Sequence, residues 1–192
     1  ILMVASEGLP YIKSGGLADV IGSLPKELVK KGHEVRVVMP LYAPIARKFH
    51  DGFQLEAQYT VSISYHEVPV NIWSQMQGDV KFYFVEHKGY FERDNLYGYM
   101  DDGERFAYFQ KAVIEMLNQL NYFPEIMHSH DWHTGMIPVM CKEGHSFDER
   151  YRNIKHVYTI HNLAYQGNFG AEMLDSCLGL DYRIFDNGNV RY

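Results

Sequence analysis

Short apolar runs and amphipathic stretches alternate along this chain of 192 residues. The apolar runs predict buried β-strands at residues 1–5, 33–40, 126–130 and 155–160. Helical periodicity predicts helices at residues 17–31, 101–120, 134–142 and 171–178. A strand, a helix and a second strand within about 40 residues form a parallel, right-handed crossover. The order therefore predicts an α/β fold with a mainly parallel sheet.

The middle of the chain follows a different period. Residues 59–65, 68–72 and 81–85 alternate apolar and polar side chains with short connections, which predicts a small antiparallel excursion. A polar and aromatic segment follows at residues 88–102. Because irregular loops of this length are uncommon unless they are functional, we expect this loop to contribute to a site.

Four boundaries carry predictions of their own. Asp101, with Glu104 three residues later, resembles a capping box at a helix start. Thr134 is the predicted N-cap of the next helix. Pro25 is expected to kink the first helix or interrupt its hydrogen bonding, and Gly32 is expected to end it.

Two adjacent glycines, Gly15 and Gly16, lie between the first predicted strand and the first helix. Without a Cβ they let the backbone approach a ligand, and the first turn of a helix offers free N–H groups and positive dipole charge. Lys13 adds a cation beside them. These features predict that the turn is a binding site for an anion such as a phosphate. The alternative is an ordinary turn with a surface lysine, because the spacing is not the dinucleotide fingerprint.

Polar side chains also follow two later predicted strands. Asp131 and Trp132 follow residues 126–130, and His161 and Asn162 follow residues 155–160. Ligands of open α/β sheets bind at the carboxyl ends of the strands, so these groups and the glycine turn converge on one crevice if their strands are neighbours in the sheet. Carboxylate and amide groups suit sugar hydroxyls, and an indole ring offers a stacking face. These contents predict a site for a sugar that carries a phosphate.

Plainer interpretations stay open for these residues. Asp131 could start a turn and His161 could be a structural histidine, while Trp132 and Tyr99 could pack in the core. A metal site is a further alternative, because the following residues are potential ligands: His128, His130, Asp131 and His133. A zinc site, however, needs three or four convergent ligands.

Composition narrows the possible functions. Hydrophobic residues make up 46% of the chain and charged residues 22%, which is typical of a globular domain. The net charge of −6 argues against a broad nucleic-acid surface, and no apolar run approaches the roughly 20 residues of a membrane span. Cys141 and Cys177 share no motif, which favours a reducing, intracellular setting. The chain starts inside a strand without Met, so we expect it to be part of a longer polypeptide.

Several segments together resemble one known family. They are Ser-Glu at residues 6–7, Lys-Ser-Gly-Gly-Leu-Ala-Asp-Val at 13–20, Asn-Leu-Tyr-Gly-Tyr at 95–99, His-Ser-His-Asp-Trp-His at 128–133 and Thr-Ile-His-Asn-Leu-Ala-Tyr-Gln-Gly at 159–167. Their order is similar to that of bacterial glycogen synthases and plant starch synthases. The resemblance covers essentially the whole chain.

This resemblance implies a GT-B glycosyltransferase with two Rossmann-like domains across a cleft. Residues 1–192 would form the N-terminal, acceptor-side domain, and the C-terminal nucleotide-binding domain would lie outside this sequence. The parent enzyme would transfer glucose from ADP-glucose to the non-reducing end of an α-1,4-glucan (glycogen or starch) with retention. The resemblance implies no metal and no cofactor beyond this donor substrate, and no nucleic-acid or membrane partner. It implies the cytoplasm of a bacterium, or a plastid.

The resemblance also implies residue roles, with His161, Asp131 and Lys13 as the catalytic residues. Lys13, Gly15 and Gly16 would lie along the donor phosphates, and His161 would contact the donor sugar. Asp131 and Tyr99 would shape the sugar and acceptor site. Four further residues of these motifs are candidates for the acceptor side: Glu7, Asp19, Trp132 and Asn162.

Other functions stay open beside this one. The parent could be another retaining sugar-nucleotide transferase such as a sucrose or sucrose-phosphate synthase, or the chain could be a non-catalytic glucan-binding piece. A metal hydrolase built on the histidines is a third alternative. ADP-glucose and UDP-glucose are not distinguished, because the family's nucleotide pocket lies mainly in the other domain. For the same reason, we expect the 192-residue piece to be inactive without that domain.

Overall fold

The computed structural model describes residues 1–186, which form a seven-stranded mixed sheet with helices packed against it. The strands are β1 (Leu2–Val4), β2 (Arg36–Pro40), β3 (Gln54–Ile63), β4 (His66–Gln77), β5 (Val80–Glu86), β6 (Ile126–His130) and β7 (Lys155–Thr159). The helices are α1 (Gly16–Lys30), α2 (Ala43–Phe49), α3 (Lys88–Phe91), α4 (Asp102–Gln119), α5 (Ile137–Gly144), α6 (Glu149–Arg152) and α7 (Arg183–Asp186). The strand order is β3-β4-β5-β2-β1-β6-β7.

Five neighbouring strands of this sheet, β5-β2-β1-β6-β7, are parallel. The side chains of β1 are completely buried, as expected for a central strand of a parallel sheet that is covered on both faces. The prediction of an α/β fold is confirmed. The carboxyl ends of β1, β6 and β7 consequently lie next to one another at a single edge of the sheet.

The antiparallel strands are longer than predicted and belong to the same sheet. Strands β3 and β4 form a hairpin whose two turn residues, Ser64 and Tyr65, have φ angles of 47° and 65°. Two consecutive residues with positive φ are typical of the tight turn that suits the twist of a hairpin. Strand β5 pairs antiparallel with β4 and parallel with β2, so it joins the excursion to the parallel strands.

Helix α1 continues through Pro25, whose side chain is buried. Tertiary packing therefore compensates for the backbone hydrogen bond that proline cannot donate. Gly32 follows the C-cap residue Lys31 with a φ angle of 90°, and this confirms the predicted end of the helix. The helical segment predicted at 171–178 is present as one π-helical stretch, Leu174–Leu178.

Two predicted helix caps are wrong. Asp101 precedes α4 but makes no capping bond, because both of its carboxylate oxygens accept hydrogen bonds from Arg93, each at 2.6 Å. The hydroxyl of Thr134 donates back to the carbonyl of His130 at 2.9 Å, and α5 starts three residues later at Ile137. The carboxylate of Asp101 binds the side chain of Arg93 instead of the helix N-terminus, and the hydroxyl of Thr134 binds a backbone carbonyl of the preceding turn instead.

A buried ion pair organises the loop before α4. Arg105 has no exposed surface, and its guanidinium donates to Asp102 at 2.5 Å and to the carbonyl of Tyr90 at 2.7 Å. The other carboxylate oxygen of Asp102 accepts from the backbone N–H groups of Gly98 and Tyr99, at 2.7 and 3.2 Å. The loop predicted at 88–102 is therefore held in place by one buried carboxylate and one buried cation.

Among residues 1–186, no helix is long and apolar enough to cross a membrane.

Candidate functional site

A cavity of about 800 Å³ opens at the sheet edge formed by the carboxyl ends of β1, β6 and β7. Its walls come from the glycine turn, the loop before α4 and the segments that follow β6 and β7. The lining residues are Glu7, Ser14, Gly15, Gly16, Leu17, Tyr97, Gly98, Asp102, Asp131, Trp132, His133, His161, Asn162 and Tyr165. The structure thus brings together the three groups that the sequence predicts at strand ends.

The glycine turn already holds an anionic group of the protein itself. The buried carboxylate of Glu7 accepts hydrogen bonds from the backbone N–H of Ser14 and from that of Gly15, the latter at 3.1 Å. Gly15 is the N-cap of α1, and the following N–H groups of the first helical turn have no partner within the helix. An additional anion would therefore meet the N–H groups that begin at Gly16, beside the carboxylate of Glu7.

Lys13 and Asp19 lie outside the cavity wall. The ammonium group of Lys13 contacts both carboxylate oxygens of Asp19, at 2.7 and 2.6 Å, and about half of each side chain is exposed. An exposed ion pair of this kind contributes little to stability, so it leaves the lysine free to exchange partners. The proposed roles of Lys13 at the donor phosphates and of Asp19 at the acceptor stay predictions.

Asp131 connects the ends of β6 and β7. Its backbone N–H donates to the carbonyl of Thr159 at 3.0 Å, and its carboxylate accepts from the backbone N–H of His161 at 2.7 Å and of Asn162 at 3.4 Å. The φ angle of Asp131 is 58°, a conformation that non-glycine residues rarely adopt. Such backbone strain of about 1–3 kcal/mol persists only where neighbouring contacts impose it, and it clusters at functional sites.

Three histidine rings form a row behind Asp131. The rings of His128 and His130 have centroids 4.0 Å apart, and the Nδ1 of His130 is joined to the Nε2 of His161 by a hydrogen bond of 2.9 Å. His128 bonds to the hydroxyl of Thr159 at 2.8 Å. His161 is the member of the row that lines the cavity.

Aromatic rings form the opposite part of the wall. Trp132 stacks on His133 with a centroid distance of 4.0 Å and meets Phe106 edge-on at 5.2 Å. The indole ring therefore packs against the core and also lines the cavity. His133 bonds to Ser6 at 3.3 Å, and Ser6 bonds in turn to the hydroxyl of Tyr97 at 2.9 Å.

Tyr99 is not part of the cavity wall. Its ring is in contact with the guanidinium groups of Arg93 and Arg105, which lie 4.8 and 5.0 Å from the ring centroid. Its neighbours Tyr97 and Gly98 line the cavity instead. The sequence therefore indicated the correct loop, while the choice among its aromatic residues depends on how Asp102 folds the loop.

The structure adds lining residues that sequence reasoning did not select. Tyr97 and Asp102 belong to the polar aromatic loop, and Tyr165 belongs to the segment after β7. The positions of Tyr97 and Tyr165 inside the quoted motifs are the signal by which these two could have been found. Within residues 1–186, no group of three or more His, Cys, Asp or Glu side chains is arranged to hold a metal ion.

A family model described as the starch synthase catalytic domain matches residues 1–192, which is the whole chain. The chain belongs to this family. The glycogen synthase of Streptococcus agalactiae serotype III (strain NEM316) is 44% identical over all 192 residues, and that of Clostridium kluyveri (strain ATCC 8527) is 45% identical over 190 residues, or 99% of the chain. In both comparisons this chain spans 40% of the relative's length.

A solved member of the family has the same fold. The catalytic domain of starch synthase IV from Arabidopsis thaliana, bound to ADP and acarbose, aligns over 94% of this chain and 37% of its own chain, with a TM-score of 0.85 and 30% identity. The resemblance to glycogen and starch synthases and the Rossmann-like, GT-B fold class are therefore confirmed. The domain boundaries and the residue roles stay predictions.

Two buried histidines make stability in this family member sensitive to acid. Burial, with a smaller contribution from the neighbouring His128 and His161, lowers the pKa of His130 to about 3. Burial, with a smaller contribution from Arg105, lowers the pKa of His133 to about 3. The unfolded chain takes up these protons near pH 6.5, so falling pH favours unfolding between about 6.5 and 3. We expect the free energy of unfolding to fall by about 1.4 kcal/mol per pH unit for each ring in that window.

Urea unfolding at a series of pH values measures this slope. His133→Asn should give a shallower slope than the wild type, because one of the two buried rings is removed. A free energy of unfolding that stays constant between about pH 7 and pH 5 would contradict the prediction.

Proposed function

We propose that the full-length protein is a retaining glucosyltransferase that elongates an α-1,4-glucan, and that residues 1–192 form its acceptor-side domain. One observation carries the proposal: the glycine turn, Asp131 and His161 line a single cavity at the carboxyl ends of parallel strands. The relatives named glycogen synthase and the starch synthase bound to ADP and acarbose support this activity and an adenine nucleotide donor.

In this proposal the donor lies across the sheet edge with its phosphates towards the start of α1. The N–H groups from Gly16 onwards and the positive end of the helix would stabilise negative charge on the leaving nucleotide. Preorganised donors of this kind act where charge develops in the transition state. Lys13 would leave Asp19 and pair with the phosphates when the donor binds.

The donor sugar lies beside His161 and Asn162 in the same proposal. The ring of His161 would bond to a sugar hydroxyl, and its backbone carbonyl would face the positive charge that develops at the anomeric carbon. Asp131 holds this segment through the hydrogen bonds at 2.7 and 3.4 Å and positions it for the reaction. Glu7, Trp132 and the loop that contains Tyr97 and Gly98 would border the acceptor glucan.

The remaining catalytic groups belong to a second domain in this proposal. The chain spans about 40% of the length of its glycogen synthase relatives, and stabilisation of the nucleotide needs more positive charge than Lys13 and one helix terminus provide. We therefore propose that a C-terminal nucleotide-binding domain closes over this cavity. The proposal includes no cofactor and no metal; the donor substrate carries the leaving group itself.

Transfer of labelled glucose to glycogen tests the proposal directly. The full-length protein is incubated with ADP-glucose or UDP-glucose, and with glycogen or fructose as acceptor. We expect transfer from ADP-glucose to glycogen, and none by the 192-residue chain alone. Transfer to fructose would indicate a sucrose synthase, and glycogen binding without turnover by the full-length protein would overturn the proposed activity.

Lys13→Ala in the full-length protein is expected to lower kcat by on the order of 10²-fold, because a cation at the leaving phosphate stabilises charge that develops in the transition state. Lys30→Ala is the matched control, since it removes a lysine from a comparable exposed ion pair, the one with Glu27 at 2.6 Å. We expect Lys30→Ala to retain kcat. An unchanged rate in Lys13→Ala would remove this lysine from the mechanism.

A further inference from the structure

His130 is a buried polar residue to which neither the fold nor the proposed reaction assigns a role. It ends β6, its side chain has no exposed surface, and its ring lies next to those of His128 and His161, at centroid distances of 4.0 and 5.2 Å. Burying an imidazole in a core costs free energy unless its nitrogens find partners. The burial of this ring therefore needs a specific structural or functional reason.

The two nitrogens of His130 have different surroundings. Nδ1 lies 2.9 Å from the Nε2 of His161, whereas Nε2 is buried without a hydrogen-bond partner in the described part of the chain. Burial and the two neighbouring histidines lower the pKa of His130 to about 3, so the ring is neutral at physiological pH and carries a single N–H. The position of that proton determines which ring nitrogen of a neutral His161 carries its own proton.

One of the two arrangements is energetically favoured. If the proton were on Nε2, a buried N–H would lack an acceptor, which costs free energy and is rare in native structures. If the proton is on Nδ1, it donates to Nε2 of His161, and His130 leaves only a lone pair unpaired. The second arrangement makes Nε2 of His161 an acceptor, so the proton of a neutral His161 lies on Nδ1.

We propose that His130 is a positioning residue that holds the ring of His161 in one orientation and in its Nδ1-protonated tautomer. The bond that the backbone N–H of His161 donates to Asp131, at 2.7 Å, fixes the backbone, and the bond from Nδ1 of His130 fixes the ring. His161 then presents an N–H donor rather than an acceptor to a hydroxyl oxygen in the cavity. The tautomer rests on the hydrogen-bond geometry and on the neutral state of the buried His130 ring, whereas its effect on catalysis rests on the proposed function.

Histidine-selective ¹⁵N labelling of the full-length protein tests the tautomer. In the wild type we expect the Nδ1 of His161 to give a pyrrole-type signal and its Nε2 a pyridine-type signal. His130→Leu should convert these signals to a mixture of the two tautomers. His130→Asn places an amide N–H near the former Nδ1 and should restore the wild-type pattern.

The same variants separate positioning from a general structural effect. We expect His130→Leu to lower kcat by on the order of 10-fold with little change in KM for the donor, and His130→Asn to recover most of the loss. His156→Asn is the matched control, since His156 is a partly buried histidine on the adjacent β7 with an unpartnered Nδ1. It should leave the His161 signals unchanged.

Three results would overturn the inference. They are a wild-type His161 protonated on Nε2, a His130→Leu variant with unchanged His161 signals, and a His156→Asn variant that alters those signals as strongly as His130→Leu does. The wild-type spectrum decides the first point even if His130→Leu does not fold. Absence of glucosyl transfer by the wild-type protein would instead contradict the proposed function and leave the tautomer measurement valid.

Discussion

Asp102→Ala is expected to lower the free energy of unfolding by about 3–5 kcal/mol, because it leaves the guanidinium of Arg105 buried without its counter-ion. Arg105 has no exposed surface, and the bond between the two side chains is 2.5 Å long. The substitution also removes the acceptor of the backbone N–H groups of Gly98 and Tyr99. Urea unfolding followed by circular dichroism measures the loss.

The matched control for this substitution is Glu149→Ala. Glu149 also pairs with an arginine three residues later, Arg152, at 3.0 Å, but both side chains are more than half exposed. Exposed pairs of this kind contribute about 0–1 kcal/mol, so we expect almost no change. Adding Arg105→Met to Asp102→Ala should recover part of the loss, because the uncompensated charge is removed as well.

Two outcomes would contradict this prediction. A loss of less than about 1 kcal/mol in Asp102→Ala would mean that solvent reaches Arg105. A double variant less stable than Asp102→Ala alone would mean that Arg105 contributes mainly through its packing and its bonds to the carbonyls of Tyr90 and Leu96.

The second large effect concerns catalysis by the full-length protein. Asp131→Ala is expected to lower kcat by on the order of 10²-fold, because displacement of a positioned group by about 1 Å is sufficient for such a loss. The carboxylate of Asp131 is the acceptor for the backbone N–H of His161 at 2.7 Å, and alanine has no acceptor. Alanine would also tolerate the φ angle of 58° poorly.

Asp131→Asn separates the hydrogen bond from the charge. Asparagine keeps an oxygen acceptor and tolerates positive φ, so we expect it to retain more activity than alanine. Steady-state rates with ADP-glucose and glycogen measure the difference. If asparagine is as inactive as alanine, the negative charge of Asp131 acts directly on the reacting groups, and its assignment as a positioning residue is wrong.

Local patterns predicted most of the fold. Strand β6 has the predicted bounds, β7 ends one residue earlier than predicted, and the buried stripe of α4 includes Phe106, Phe109 and Val113 as its periodicity indicates. These features follow from the alternation of apolar and polar residues, which is a property of short segments. The two wrong caps, at Asp101 and Thr134, depend instead on which distant or neighbouring groups compete for one side chain.

The candidate site was predictable as a region but not in its internal contacts. Parallel strands end at a common edge, so the glycine turn, Asp131 and His161 meet when β1, β6 and β7 are neighbours, and the structure shows that they are. The carboxylate of Glu7 under the glycine turn and the contact of Lys13 with Asp19 do not follow from it. Both depend on side-chain directions that no periodicity encodes.

The amino-acid sequence alone was sufficient for the α/β class, the positions of the parallel strands, the family and the edge at which a ligand would bind. Each of these depends on segments of five to fifteen residues or on motifs of similar length. The pairing of His130 with His161 and the contact of Asp131 with the segment after β7 required the folded chain. They depend on the register of β6 against β7, in which His130 lies opposite Thr159, and register is a relation between distant segments that neither segment contains.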